Sequence, residues 1–171
     1  MTLAVIIEPL SSAHDRSSFA CGVPALDRYL HEQSSQDVRR RFGNCFVAVE
    51  QAAGGAIVGY YTLAASSIPF GELPTAETRR LPRYNLIPAS LIGRLAVDSR
   101  YQGHQVGASL LADAVRRSAR SEPAAFTLLV DAKDDTAAAF YRKHGFIPLA
   151  SSPHSLFLPI ATALKLFSLM S

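Results

Sequence analysis

The sequence has no tryptophan, two cysteines, two methionines and only 18% charged residues among 171. Cys21 and Cys45 form no Cys-x-x-Cys pair and have no histidine at ligand spacing, which argues against a disulfide framework or a zinc centre. No metal is expected, and both thiols read as small buried hydrophobes. Membrane-length apolar runs are also lacking: Ala56 to Ala65 and Leu156 to Leu169 are too short or too interrupted to span a bilayer. A mean hydropathy of +0.14 therefore points to apolar surface reserved for a partner. Met1 to Leu10 carries Glu8 and Pro9 and lacks the basic-then-apolar layout of a secretion signal, so a cytoplasmic location with no membrane association is expected. Lysine is scarce too, because Lys133, Lys143 and Lys165 are the only lysines among 17 cations. The planar fork of arginine suits phosphate and carboxylate recognition better than an ammonium does.

What is present is an apolar content of 49% in a chain long enough for one core, read as a single domain over residues 1–171 with no linker or repeat. Ala4 to Ile7 reads as a first strand closed by Pro9. Pro24 opens a helix with Leu26, Tyr29 and Leu30 at helical spacing, and Arg39, Arg40 and Arg41 crowd its far end. Those cations suit the negative end of a helix dipole, a reading weighed above a direct ligand role. Asn44 to Glu50 and Ala56 to Ala65 form a hairpin about Gly54 and Gly55. Prolines at 69, 74, 82 and 88 predict a long loop from Ser66 to Ala89, with a helical turn near Thr75 to Arg80. A strand at Leu91 to Val97, a helix at Val106 to Arg120, a strand at Phe126 to Ala132 and a helix ended by Gly145 follow. Strands at Phe146 to Leu149 and Ser155 to Leu158 and a helix at Ala161 to Met170 complete an α/β order with a mixed central sheet flanked by helices.

The stretch Leu91-Ile92-Gly93-Arg94-Leu95-Ala96-Val97-Asp98 runs through Gln102, Gly103, His104 and Gln105 directly into the helix of Val106, Gly107 and Ala108. A strand turning through small residues into a helix N-terminus offers free N–H groups to phosphate. About 25 residues on comes Asp134-x-x-Ala137-x-x-Phe140-Tyr141-x-x-x-Gly145-Phe146. Together these stretches resemble the GNAT acyltransferase family. The first is similar to its Q/R-x-x-G-x-G/A pyrophosphate loop, and the second to its N-x-x-A-x-x-F-Y-x-x-x-G-F signature. Gln105 stands where the loop usually has its central glycine, and Asp134 where the second motif usually has Asn. A residue at 105 with negative φ would leave the backbone amides usable.

A narrower resemblance runs from residue 19 to 159. Phe19-Ala20-Cys21-Gly22, Leu26-Asp27-Arg28-Tyr29-Leu30, Gln36-Asp37, Gly59 to Leu63, Leu81-Pro82-Arg83-Tyr84, Pro88, Gly93 to Asp98 and Leu156 to Pro159 look like the TacT-like GNAT toxins of toxin–antitoxin pairs. The resemblance implies acetylation of the α-amino group of aminoacyl-tRNA, with acetyl-CoA as co-substrate. It also implies a ribbon-helix-helix antitoxin as partner and a homodimer. Leu95, Ala96 and Val97 would hold the pantetheine arm and acetyl carbonyl. Gln102 to Ala108, with Asp134 and Phe140, would complete cofactor binding. Tyr141 matches the general acid.

The chemistry agrees with an α-amine. No glutamate sits on the Leu91 to Val97 strand, where many relatives keep a base. A lysine amine, with a pKa of about 10.4, would need one; an α-amine, at about 8 or lower in an ester, is already substantially neutral. Residues 71 to 120 concentrate eight arginines against four acids. Arg79, Arg80, Arg83, Arg94, Lys133 and Arg142 are the candidate tRNA-phosphate contacts. His104 and His144 read as helix-end or packing residues. The competing readings are a GNAT enzyme for a small amine or protein N-terminus, and a non-catalytic antitoxin-binding module.

Overall fold

The computed structural model describes residues 3–168. Its strands are β1 (Val5–Pro9), β2 (Asn44–Glu50), β3 (Ala56–Pro69), β4 (Leu86–Val97), β5 (Thr127–Asp131), β6 (Ile147–Leu149) and β7 (Ser152–Pro159). The helices are α1 (Pro24–Arg28), α2 (Ser34–Arg39), α3 (Thr75–Thr78), α4 (Val106–Ala119), α5 (Asp135–Lys143) and α6 (Ile160–Ser168). Among the described residues the strands form a seven-stranded sheet in the order β1-β2-β3-β4-β5-β7-β6. β4 and β5 pair in parallel, whereas β1/β2, β2/β3, β5/β7 and β6/β7 are antiparallel. The expected mixed α/β sheet is therefore found. Leu169 and Met170, expected in the last helix, lie outside the described residues.

The chain divides into two compact units, one of Met1–Ala64 with Gly93–Asp113 and the other of Ala65–Ile92 with Ala114–Ser171. In the first, Phe19, Leu30, Val47, Ile57 and Tyr60 pack into a core in which none is more than 1% exposed. Each such apolar side chain contributes about 1.5–3 kcal/mol relative to exposure. The helix expected from Pro24 is not one continuous α-helix. A π-turn at Tyr29–Gln33 separates α1 from α2. The Leu30 carbonyl within that turn accepts from the Ser34 hydroxyl at 2.9 Å and from Arg16 Nη1 at 3.3 Å, which keeps a buried acceptor satisfied.

Helix α2 ends in a Schellman motif: Phe42 N–H donates to Asp37 O at 3.0 Å and Arg41 N–H to Val38 O at 3.2 Å. The left-handed position is held by Arg41, with φ +62°, where glycine is the usual occupant. A side chain in that conformation costs about 1–2 kcal/mol.

The second unit packs Ile68, Leu73, Ile87, Leu129 and Phe157 together. Ile68 and Ile87 explain why the sequence reading placed strand ends wrongly. Both are buried, at 1% and 4% exposure, and burial extends β3 to Pro69 and starts β4 at Leu86, shrinking the expected loop of 66–89 to 70–85. The prolines are accommodated at the margins. Pro69 closes β3, and Pro88, with no N–H to give, contributes its carbonyl to Phe126 N–H at 2.9 Å. Strand β7 likewise begins earlier than expected, at Ser152.

Candidate active site

In the first unit, the end of β4 leads through a short 3-10 turn at Ser99–Tyr101 into α4. Ala96 is buried, while Leu95 and Val97 are half-buried. Gly59 on β3 permits this packing: a Cβ there would lie 3.1 Å from the Ala96 carbonyl, Leu110 Cδ1 and Val106 Cγ1. The first α-helical bond of α4 runs from Ser109 N–H to Gln105 O at 3.1 Å. The N–H groups of Val106, Gly107 and Ala108 therefore precede the helical ladder and have no acceptor within it. Gly103 has φ +83°, and a Cβ there would meet nothing within 4 Å. Gln105 has φ +64°. The expectation that amide binding would rest on a negative φ at 105 is corrected: Gln105 keeps the left-handed backbone that glycine supplies elsewhere. An anion-binding N-terminus made of backbone amides fits a pyrophosphate.

Asp98, 1% exposed, organises this loop. Its Oδ1 accepts from Arg100 N–H at 2.9 Å and Arg100 Nε at 3.0 Å, and its Oδ2 accepts from Arg100 Nη2 at 3.0 Å and Ala20 N–H at 3.1 Å. Burial disfavours its ionised form, but these hydrogen bonds together outweigh burial and hold the carboxyl below its ordinary range. With its oxygens so occupied, Asp98 is a structural carboxylate and not a general base. The loop is further tied by Ser99 N–H to Ala20 O at 2.9 Å and by Gln102 Nε2 to Cys21 O and Val97 O at 3.4 and 3.2 Å. Gln102 thus uses its side-chain amide on backbone carbonyls.

The opening motif proves to be a brace for this loop. Cys21 N–H donates to Asp27 Oδ1 at 2.8 Å, Tyr60 Oη to Leu26 O at 2.7 Å and Tyr29 Oη to Asp37 Oδ2 at 2.8 Å. Cys21 and Cys45 are free and buried. Burial first of all pushes their thiols up, to about 11 and about 12. Both stay protonated at neutral pH.

In the second unit, Tyr141 on α5 is 7% exposed, with Phe140 and Phe146 edge-on at 5.3 and 5.4 Å. Burial raises its phenol well above the ordinary value, so the proton is retained throughout the physiological range. Among the described residues no group hydrogen-bonds its hydroxyl, and that oxygen is not among the sealed, unsatisfied atoms. A protonated phenol with an uncommitted O–H is suited to giving a proton to a leaving group. Asp134 caps α5, accepting from Ala137 N–H at 2.8 Å and from Lys133 Nζ at 3.0 Å; the Ala137 bond first, then Lys133, lowers its carboxyl. That cap accounts for Asp134 without a ligand. Phe140 supports Tyr141 and lies 4.8 Å from His144, whose ring stacks on Phe167 at 6.1 Å. His144 is a packing residue, as expected. His104 is half-buried before α4.

The cationic candidates divide between the units. Arg94, in the first, places its guanidinium 3.6 Å over the Tyr29 ring. Arg79, Arg80, Arg83 and Arg142, in the second, are exposed, as is Lys133 in its pair with Asp134. Tyr84, beside Arg83, is 66% exposed. The sequence reading missed the bracing roles of Asp27 and Asp98 and gave no role to Phe42, 72% exposed. Among the described residues no group of three or more His, Cys, Asp or Glu side chains is arranged to hold a metal ion, and no helix is long and apolar enough to cross a membrane.

Residues 41–148 match the acetyltransferase (GNAT) domain family. The chain is 32% identical over 167 residues to the probable toxin TacT of Sinorhizobium fredii, covering 92% of each. It is 34% identical over 151 residues to the tRNA-acetylating toxin of Mycobacterium tuberculosis, covering 87% of this chain and 88% of that one. Among solved structures, AtaT complexed with acetyl-methionyl-tRNAfMet superposes with a TM-score of 0.84 at 30% identity, covering 98% of this chain and 99% of that one. AtaT, as a tyrosine-to-phenylalanine mutant bound to the C-terminus of the antitoxin AtaR and acetyl-CoA, gives 0.78 at 29% identity, covering 96% and 98%.

Proposed function

The chain belongs to the GNAT acetyltransferase family, within its TacT-like toxins, and from that premise we propose that it is an acetyl-CoA-dependent toxin that acetylates the α-amino group of aminoacyl-tRNA and so blocks translation. The observation that carries the substrate class is the state of Asp98. The carboxylate nearest the end of β4 is buried under four hydrogen bonds, so that strand offers no base to a lysine ammonium. An α-amine needs none. The likeness over nearly the whole chain to AtaT complexed with acetyl-methionyl-tRNAfMet supports the same choice.

Acetyl-CoA supplies an activated acetyl thioester. The amides at Val106, Gly107 and Ala108, with the loop of Gln102, Gly103, His104 and Gln105, bind its pyrophosphate, while the main chain of Leu95, Ala96 and Val97 orients the pantetheine and acetyl carbonyl. The amine nitrogen forms the new bond to the carbonyl carbon as the carbon–sulfur bond breaks. Tyr141 Oη gives its proton to the sulfur and regains one, through water, from the amine that has been acylated. Phe140 and Phe146 hold the phenol in place.

Arg79, Arg80, Arg83, Arg94, Lys133 and Arg142 supply positive charge for tRNA phosphates, with Arg94 limited in reach by its seat on Tyr29. We read residues 1–171 as one GNAT domain acting in the cytoplasm, where charged tRNA is found. Exposed Leu164 and Leu166 on α6 support a homodimer or antitoxin surface. The neighbour structure with the antitoxin AtaR supports an antitoxin as partner, and the ribbon-helix-helix class is what the family resemblance implies for it. Adding the protein to a cell-free translation system tests the reading. Synthesis is expected to stop only when acetyl-CoA is present, and inhibition independent of acetyl-CoA, or none, overturns it.

A further inference from the structure

Arg39, Arg40, Arg41 and Phe42 lie together at the end of α2, and the three arginines are all exposed. Two features here oppose folding. Arg41 occupies the left-handed Schellman position, φ +62°, that L side chains rarely adopt. Phe42 follows it, at the position whose side chain ordinarily tucks back against the helix, yet it is 72% exposed. Compensating the helix dipole explains positive charge at 39 and 40, but it requires neither an arginine in a glycine conformation nor a phenylalanine in water. Strain and apolar exposure kept side by side mark a surface used for binding.

Charge decides the kind of partner. Three adjacent guanidiniums offer forked donors to phosphate oxygens, and an aromatic ring beside them offers a face to an unpaired base. We propose that Arg39, Arg40, Arg41 and Phe42 form a docking knuckle for charged tRNA, in which the arginines contact backbone phosphates and Phe42 stacks on an unpaired nucleotide. The inference rests on the tRNA reading above and adds a surface that it does not include.

The test measures binding of charged tRNA to the full chain by fluorescence anisotropy over a salt series, with Tyr141→Phe in every protein to prevent turnover. Arg39→Ala with Arg40→Ala is expected to weaken binding and reduce the slope of log K against log salt by about two. Phe42→Ser should weaken binding roughly tenfold without lowering Tm. Arg41→Gly separates binding from structure: relief of the left-handed strain raises Tm while tRNA affinity falls, which a purely structural residue would not do. Wild-type affinity and salt slope in all three variants overturn the knuckle. So does a loss of antitoxin binding with tRNA binding intact, which would assign the surface to an acidic protein segment. Failure of the parent protein to bind charged tRNA would instead count against the function proposed above.

Discussion

The buried carboxylate of Asp98 accepts the backbone N–H of Ala20 at 3.1 Å, joining two segments 78 residues apart in sequence. The same side chain holds Arg100, so the loop before α4 is set by a buried carboxylate whose oxygens are already engaged. Asp98→Ala removes the acceptor of the Ala20 and Arg100 backbone N–H groups, while the exposed Arg100 guanidinium turns to water; the change is expected to cost about 1–3 kcal/mol and to weaken acetyl-CoA binding. Urea unfolding and calorimetric titration measure the two effects. Since its folded pKa is lowered, the Asp98 contribution is fully present above the unfolded value of about 3.9 and is lost as pH falls through the folded value. The wild-type advantage over the variant should shrink below about pH 4.

Tyr141→Phe removes only the hydroxyl and preserves the ring packed between Phe140 and Phe146. Loss of a general acid is expected to lower kcat by about 10²–10⁴-fold with the acetyl-CoA Kd unchanged. In the wild type, burial raises the phenol's pKa, so it remains an acid well above neutral pH. The kcat/KM profile should rise as the amine deprotonates and show no falling limb between pH 6 and about 9. A bell centred near neutrality would assign the proton transfer to another group.

Gln105→Gly relieves a side chain at φ +64°. Release of left-handed strain, offset by the greater unfolded-state entropy of glycine and by the loss of the interactions Gln105 makes, is expected to keep stability within about 1 kcal/mol of the parent. Acetyl-CoA affinity should match or exceed that of the parent. Thermal melts with and without acetyl-CoA measure both quantities, and a variant destabilised by more than that would show that the Gln105 side chain carries contacts worth more than the strain.

His144 has its pKa lowered, by burial first and then by Lys143. The unfolded chain therefore takes up a proton that the folded chain resists, and stability falls as pH drops below about 6.5. His144→Phe retains an aromatic ring against Phe140 and Phe167 without the titration. Denaturant midpoints measured between pH 5 and about 8 should diverge on the acid side, with the wild type losing more. Parallel curves would mean that His144 is not the responsible group.

The sequence made the fold legible, and singled out Tyr141 as the proposed acid, because both rest on local patterns: period-two and helical spacing, the hairpin glycines, and the run from Ala137 to Phe146. What escaped depends on contacts between distant residues. Prolines at 69 and 88 read as breakers because the burial of Ile68 and Ile87 is a tertiary fact. Asp98 lay at the end of a strand with nothing to reveal Ala20 as its partner. Phe19, Asp27 and Asp37 entered only as motif residues, and the structure supplies their packing reasons: Phe19 is a buried core side chain, Asp27 accepts from Cys21 N–H and Asp37 accepts from Tyr29 Oη. Gln105 could be marked as a departure from glycine, but its φ could not be read.

The most direct test of the central claim is mass spectrometry of the aminoacyl-adenosine released by nuclease after incubating the protein with labelled acetyl-CoA and charged tRNA, alongside lysine peptides and a panel of small amines. One labelled acetyl group on the α-nitrogen of the aminoacyl-adenosine, with the amines unmodified, is the predicted result. Label on a small amine or a peptide, with the aminoacyl-adenosine unchanged, would contradict it.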